Sequence, residues 1–201
     1  MKRLYAFLEQ YARPGDGADA DAERKRTEAR IWADFGVEQT VFVLDMAGFS
    51  RLVQRHGLVH YLSMVHRMHL AVEPVVREHD GHVVKFEADN CFARFPSPTR
   101  AIEAAIAVNR TAAGINADVP AESQIHVAIG IDAGRFLLIE DDNLFGDPVN
   151  LACKLGEDIA EAGEILVTDR AFAQASNPGF NSERLSLHVS GVRIVAHRIS
   201  Y

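Results

Sequence analysis

The order in which two hydrophobic periods alternate between residues 39 and 139 restricts the fold of this chain more than any other property. Gln39 to Leu44 is a β-branched and aromatic run ended by Asp45, the pattern of a buried strand. Gly48-Phe49-Ser50 opens a helical segment, and from about Val59 to His79 the residues Tyr61, Val65, Met68, Val72 and Val75 recur at helical spacing until Asp80-Gly81 closes the run. Val83 to Glu87 and Cys91 to Phe95 read as strands joined by a tight turn at Ala88-Asp89-Asn90, where Asp and Asn bond their own backbone. Ser97-Pro98 supplies a cap and a first-turn proline for a helix that carries Ile102, Ala105 and Ile106 inward, with Gly114 as its expected stop. Gln124 to Ile131 and Arg135 to Ile139 are expected as two strands, broken at Asp132-Ala133-Gly134.

That order is βαββαβ. Asp147-Pro148 repeats the cap-and-proline signal before a helix with Leu151, Leu155 and Ile159 on one face. Gly163 ends it, Ile165 to Val167 is a short strand, Asp169 to Ala175 a short helix, and Leu185 to Ile199 a closing hairpin about Ser190-Gly191. The expectation is an α+β, ferredoxin-like sheet with additional strands and helices on one face, the first strand and the 83–95 hairpin side by side at its centre. Residues 1–36 are set apart as an appendage: a helix from Lys2 to Arg13, a linker beginning at Pro14-Gly15-Asp16-Gly17, and a charged helix from Ala22 to Phe35 that docks by Ile31, Trp32 and Phe35. Residues 37–201 form the main domain.

With 48% apolar residues in 201 the chain has enough for a core of its own. A formal net charge of −7 with interspersed signs disfavours a nucleic-acid or membrane surface, both of which reward basic patches. There is no apolar run of bilayer length and no signal-type start. Cys91 and Cys153, the only two cysteines, sit in apolar segments and read as reduced thiols, which suits a soluble cytoplasmic protein.

Two carboxylates, Asp45 after the first strand and Asp89 in the hairpin tip, are brought to one sheet edge by this order of elements. Such a pair can hold Mg²⁺, which takes few protein oxygens and completes its octahedron with phosphate oxygens and water. The turn from Met46 to Ser50 offers backbone N–H groups at a helix start, a phosphate cradle. The pattern alone serves equally well for a helix cap at Asp45 and a turn residue at Asp89. Asn150 and Lys154, four apart, share a helix face and could stabilise phosphoryl charge, although a solvated face looks the same. His56 and His60, and His66 and His69, have helical spacing, but neither pair forms an HExxH arrangement and no cysteine joins them.

Three blocks, in this order and spacing, resemble the class III adenylyl/guanylyl cyclase catalytic domain. The first is Val41 to Ser50; the second runs from Gly81 to Asp89 and on to Phe95-Pro96-Ser97; the third joins Gly130-Ile131-Asp132-Ala133-Gly134, Phe145 to Ala152 and Gly163-Glu164-Ile165-Leu166. The resemblance covers roughly residues 38 to 200. It implies conversion of ATP to 3′,5′-cyclic AMP and pyrophosphate, with Mg²⁺ or Mn²⁺, two per active site, held by Asp45, Asp89 and the backbone of Met46. It places Gly48, Phe49 and Ser50 over the triphosphate, Lys85 and Asn143 on the purine, Asn150 on the ribose and Lys154 on the transition-state phosphate. It further implies a head-to-tail homodimer in which each site takes its aspartates from one chain and Lys85, Asn143, Asn150 and Lys154 from the other.

The chain departs from the family pattern at four places. Ala88 replaces a glycine common before the second aspartate, Asn143 stands where adenylyl cyclases usually have Asp or Thr, Lys154 stands for an arginine, and Ser190 for a basic residue. A guanylate cyclase, and a catalytically weak domain that binds nucleotide and dimerises as a sensor, are the rival readings. The helices before residue 37 are the expected place for a regulatory partner.

Overall fold

The computed structural model describes residues 1–12, 18–176, 180–189 and 192–201. Strand β1 (Gly36–Met46) is the spine of the sheet, with Val41 and Val43 buried on one face and Phe42, Leu44 and Met46 on the other. It pairs antiparallel with β3 (Asn90–Phe95) and with β4 (Val127–Ile139). Beyond β3 lies β2 (His82–Glu87); beyond β4 lie β6 (Ile165–Thr168), parallel to it, then β8 (Val192–Ser200) and β7 (Asn181–Val189). A short β5 (Asn143–Phe145) folds back on the end of β4. The 2-3-1-4 order of the first four strands is the ferredoxin-like arrangement, and the α+β class holds.

The hairpin β2–β3 does not sit at the centre as expected: β2 is an edge, and β1 and β4 are central. The helices also occupy both faces. On the Phe42 face, α4 (Leu58–Glu78) and α5 (Pro98–Asn116) bury Tyr61, Met64, Val65, Met68, Val72, Ile102 and Ala105 against the strands. On the Val41 face lies α6 (Asp147–Cys153), continued by a π-helical segment, Lys154–Ile159. Glycine permits this: a Cβ on Gly130 would lie 2.1 Å from the Ala152 carbonyl oxygen, and one on Gly156 would lie 2.9 Å from the Val43 carbonyl oxygen. The backbones of helix and sheet are in direct contact there.

Three local expectations give way for identifiable reasons. The residues taken as a break in β4 are paired straight through, Asp132 with Val41 and Gly134 with Gln39. Asp132 is fully buried and satisfied: it accepts from the Ala133 N–H, from Thr168 Oγ1 and from Arg170. Gly114 does not stop α5. The helix runs to Asn116, whose amide donates to the Ile125 carbonyl at 2.7 Å and accepts from the Ile125 N–H at 2.7 Å, standing in for a strand neighbour. Asp147 does not cap α6; Gly146 occupies the cap at φ 154 with no side-chain bond, and Asp147 pairs with Arg170 at 2.8 Å. By contrast Ser97 caps α5 as expected, accepting from the Arg100 N–H.

The helices α1 (Lys2–Ala12) and α2 (Ala18–Phe35) sit at the far end of β4 from the hairpin tip, where Leu4 and Ile31 are buried with Ile139, and Phe7, Phe35 and Leu137 surround them. Ile31 and Phe35 dock as expected, and α2 passes into β1 with no residue between. Residues 13–17 and Ser190-Gly191 lie outside the described residues, although Val189 and Val192 pair; the expected linker is shorter than its composition suggested, because α2 already begins at Ala18 rather than at Ala22.

Candidate active site

Asp45 is opposite Asn90 in the β1–β3 register, so the residue before it, Asp89 at the hairpin tip, comes beside Asp45. Both line a cavity of 840 Å³ with Met46, Gly48, Arg51, Tyr61 and Ala88, edged by Leu58, Leu62 and Val65. Burial, then the charges of Asp89 and Glu157, push the Asp45 carboxyl up to about 7, against a lowering contribution from the Met46 backbone N–H. Negative charge is thus crowded beyond what the Met46 N–H offsets, the condition a cation relieves. Among the described residues no three His, Cys, Asp or Glu side chains converge into a cage. Two carboxylates and an open cavity fit Mg²⁺ or Mn²⁺, which take their remaining ligands from phosphates and water.

The chain leaves β1 through Gly48, whose φ of 97° is left-handed and favours glycine. It then starts α3 (Phe49–His56) without a side-chain cap, leaving the first N–H groups available to an anion. The side chains of Phe49 and Ser50 lie outside the described ones. Arg51, in the first turn of α3, faces the same cavity, one residue beyond the Met46 to Ser50 turn that the sequence pattern marks. That pattern marks Tyr61 as a core position only, whereas its hydroxyl donates to Asp89 Oδ2 at 2.6 Å.

The other predicted residues do not line this cavity. Lys85, on β2, pairs with Glu87 and lies 5.0 Å over the Phe92 ring. Its charge reaches Cys153 on α6, whose thiol is pushed up to about 12, chiefly by burial. Asn143 begins β5 after a turn in which Glu140 and Asp141 take positive φ, 53° and 58°; with no glycine to mark it, sequence reading found no strand there. The Asn143 amide N–H donates to Asp142, so its carbonyl oxygen is turned elsewhere. Asn150 is exposed on α6, and the Lys154 N–H donates to its carbonyl, which keeps both side chains on one face across the change to π geometry. Lys154 makes no ion pair or side-chain hydrogen bond among the described residues. Asp45, Asp89 and the start of α3 thus share one cavity, and the two lysines and two amides stand outside it on β2, β5, α6 and the π segment.

No described helix is long and apolar enough to cross a membrane. A protein of Rhizobium meliloti named "Putative adenylate cyclase 3" is 32% identical over 129 residues, 64% of this chain; the match spans 22% of that relative's length. The structure of an adenylate/guanylate cyclase/hydrolase from Silicibacter pomeroyi is 26% identical with TM-score 0.68, covering 82% of this chain and 96% of that one. That of the guanylyl cyclase Cya2 has TM-score 0.72 at 16% identity, covering 82% and 92%, a likeness of fold alone. The family description "Adenylate and Guanylate cyclase catalytic domain" matches residues 37–197, and the chain belongs to that family.

Proposed function

We propose that the chain is an adenylate cyclase, forming 3′,5′-cyclic AMP and pyrophosphate from ATP at sites shared by two head-to-tail copies. The observation that carries this reading is the convergence of Asp45 and Asp89 on one cavity, in a member of the cyclase family. Asp45, Asp89 and the Met46 backbone would hold two Mg²⁺ or Mn²⁺ ions, which when bound neutralise the phosphates and favour ionisation of the ribose 3′-hydroxyl. The uncapped start of α3 at Gly48, Phe49 and Ser50, with Arg51, binds the outer phosphates. From the partner copy Asn150 orients the ribose and Lys154 donates to the α-phosphate oxygens as charge grows there. Lys85 donates to adenine N1, and the Asn143 carbonyl accepts from the N6 amino group.

That Lys85, Asn143, Asn150 and Lys154 stand outside the carboxylate cavity of their own chain supports a two-chain site. The test is purified protein with ATP or GTP and Mg²⁺ or Mn²⁺, with cyclic nucleotide and pyrophosphate quantified. ATP should give the higher kcat/KM. Equal values for ATP and GTP would overturn the base assignment, and no cyclic nucleotide from either would favour the sensor reading. Mixing inactive Asp45→Ala and Lys85→Ala chains should restore activity; failure with subunit exchange verified would put each site within one chain.

A further inference from the structure

Helix α4 reaches the hairpin tip twice. Tyr61 Oη donates to Asp89 Oδ2 at 2.6 Å, and two turns further on His69 Nε2 lies 3.2 Å from the Ala88 carbonyl oxygen, its ring stacked on Phe86 at 4.0 Å. The inward face of α4 is otherwise Met64, Val65, Met68, Val72, Val75 and Val76. Packing there asks only for apolar volume, and a phenol buried to 2% exposure is costly unless its hydroxyl has a partner. Here that partner is a carboxylate lining the proposed cation cavity. An ionised carboxylate only accepts, so the phenol fixes its rotation and leaves Oδ1 without a donor among the described residues.

We propose that Tyr61 is a positioning residue for the cation site: it holds Asp89 Oδ2 so that Oδ1 is presented to the metal. This rests on the reading of Asp45 and Asp89 as metal ligands. A carboxylate at a hairpin tip must otherwise give up rotamer freedom when it binds, and an outer partner that has already oriented it typically changes metal affinity by roughly 10- to 100-fold. Tyr61→Phe keeps the ring and removes the hydroxyl that donates to Asp89.

The experiment is a Mn²⁺ titration, free Mn²⁺ being followed by electron paramagnetic resonance, with 3′-deoxy-ATP, which lacks the reacting oxygen. Wild type, Asp45→Ala, Tyr61→Phe, Asp89→Asn and the Tyr61→Phe/Asp89→Asn double variant are compared, with circular dichroism confirming the fold. Tyr61→Phe should weaken Mn²⁺ binding roughly 10- to 100-fold and have almost no further effect in the Asp89→Asn background. Wild-type affinity in Tyr61→Phe, or the same loss with and without Asp89, would overturn the proposal, because a merely structural role acts independently of that carboxylate. If Asp45→Ala binds Mn²⁺ like wild type, the metal reading falls and this one with it. If Asp45→Ala loses binding while Tyr61→Phe keeps it, only the role of Tyr61 falls.

Discussion

Replacing Gly130 by alanine should separate the contribution of the α6 residues from that of the carboxylates. The new Cβ would lie 2.1 Å from the Ala152 carbonyl oxygen and 2.5 Å from the Gly156 nitrogen, and ordinary contact begins at 3.4 Å. Neither neighbour is a flexible side-chain end, so α6 and the π segment must recede from β4 by a little over 1 Å. Overpacking of this kind costs about 1–3 kcal/mol, which in a chain of this size lowers Tm by roughly 3–10 °C. On the proposed function the cost in rate is larger, because a displacement of about 1 Å at a positioned catalytic group reduces rate on the order of 100-fold, and α6 and the π segment carry Asn150 and Lys154. Asp45 and Asp89 stand on β1 and the hairpin tip, so Mn²⁺ affinity should stay within about threefold of wild type, the scale of a half-unit pKa change. Steady-state kinetics, Mn²⁺ titration and thermal unfolding on one preparation test this. Wild-type kcat in a folded Gly130→Ala protein would show that α6 does not position the reacting groups.

Four further outcomes are expected. Asp45 holds its proton up to about 7 when folded against an ordinary 3.8, so the metal-free protein should lose stability as pH rises between these values. Metal competes with the same proton, so Mn²⁺ affinity should fall as pH drops below about 7, and a flat affinity between pH 6 and 8 would refute the assignment. Arg170→Met leaves the fully buried Asp132 without its cation and should cost about 3–5 kcal/mol in urea unfolding; a loss under 1 kcal/mol would mean that Thr168 and the Ala133 N–H suffice. Lys154→Arg should raise kcat by roughly 10- to 100-fold with little change in KM, because a guanidinium binds two phosphate oxygens where an ammonium binds as a point charge; turnover by Lys154→Ala equal to the parent would remove this residue from the phosphate.

The fold was legible where one physical cause decides each element. The β1 run, the α4 stripe, the Ser97-Pro98 start and the Ala88-Asp89 turn combine period with punctuation, and the structure forms all four. Reading failed where a distant partner overrides local chemistry. Asp132-Ala133-Gly134 looks like a break until Thr168 and Arg170 satisfy the carboxylate, and Asp147 looks like a cap until Arg170 takes it. The β4–β5 turn was invisible because Glu140 and Asp141 carry positive φ without glycine. At the site, Asp45, Met46, Gly48 and Asp89 were found because they border turns, whereas Tyr61 hid among the apolar positions of its helix. The roles expected of Lys85, Asn143, Asn150 and Lys154 came from the family resemblance, because spacing alone left them open.

The edge position of β2 bears on how Lys85 is to be tested. An open strand edge offers unpaired N–H and C=O groups to any passing chain, and natural sheets discourage that association with charge and irregular pairing. β2 has both: its register shifts between Val83 and Lys85, and Lys85 and Glu87 place a charged pair along it. The lysine proposed for the purine is thus also part of the charge that discourages pairing at this edge. Lys85→Ala weakens that protection together with the proposed base contact, so a fall in its activity mixes lost recognition with lost soluble protein. Lys85→Glu keeps an ionic edge while reversing the base contact, and light scattering on both variants separates the two effects.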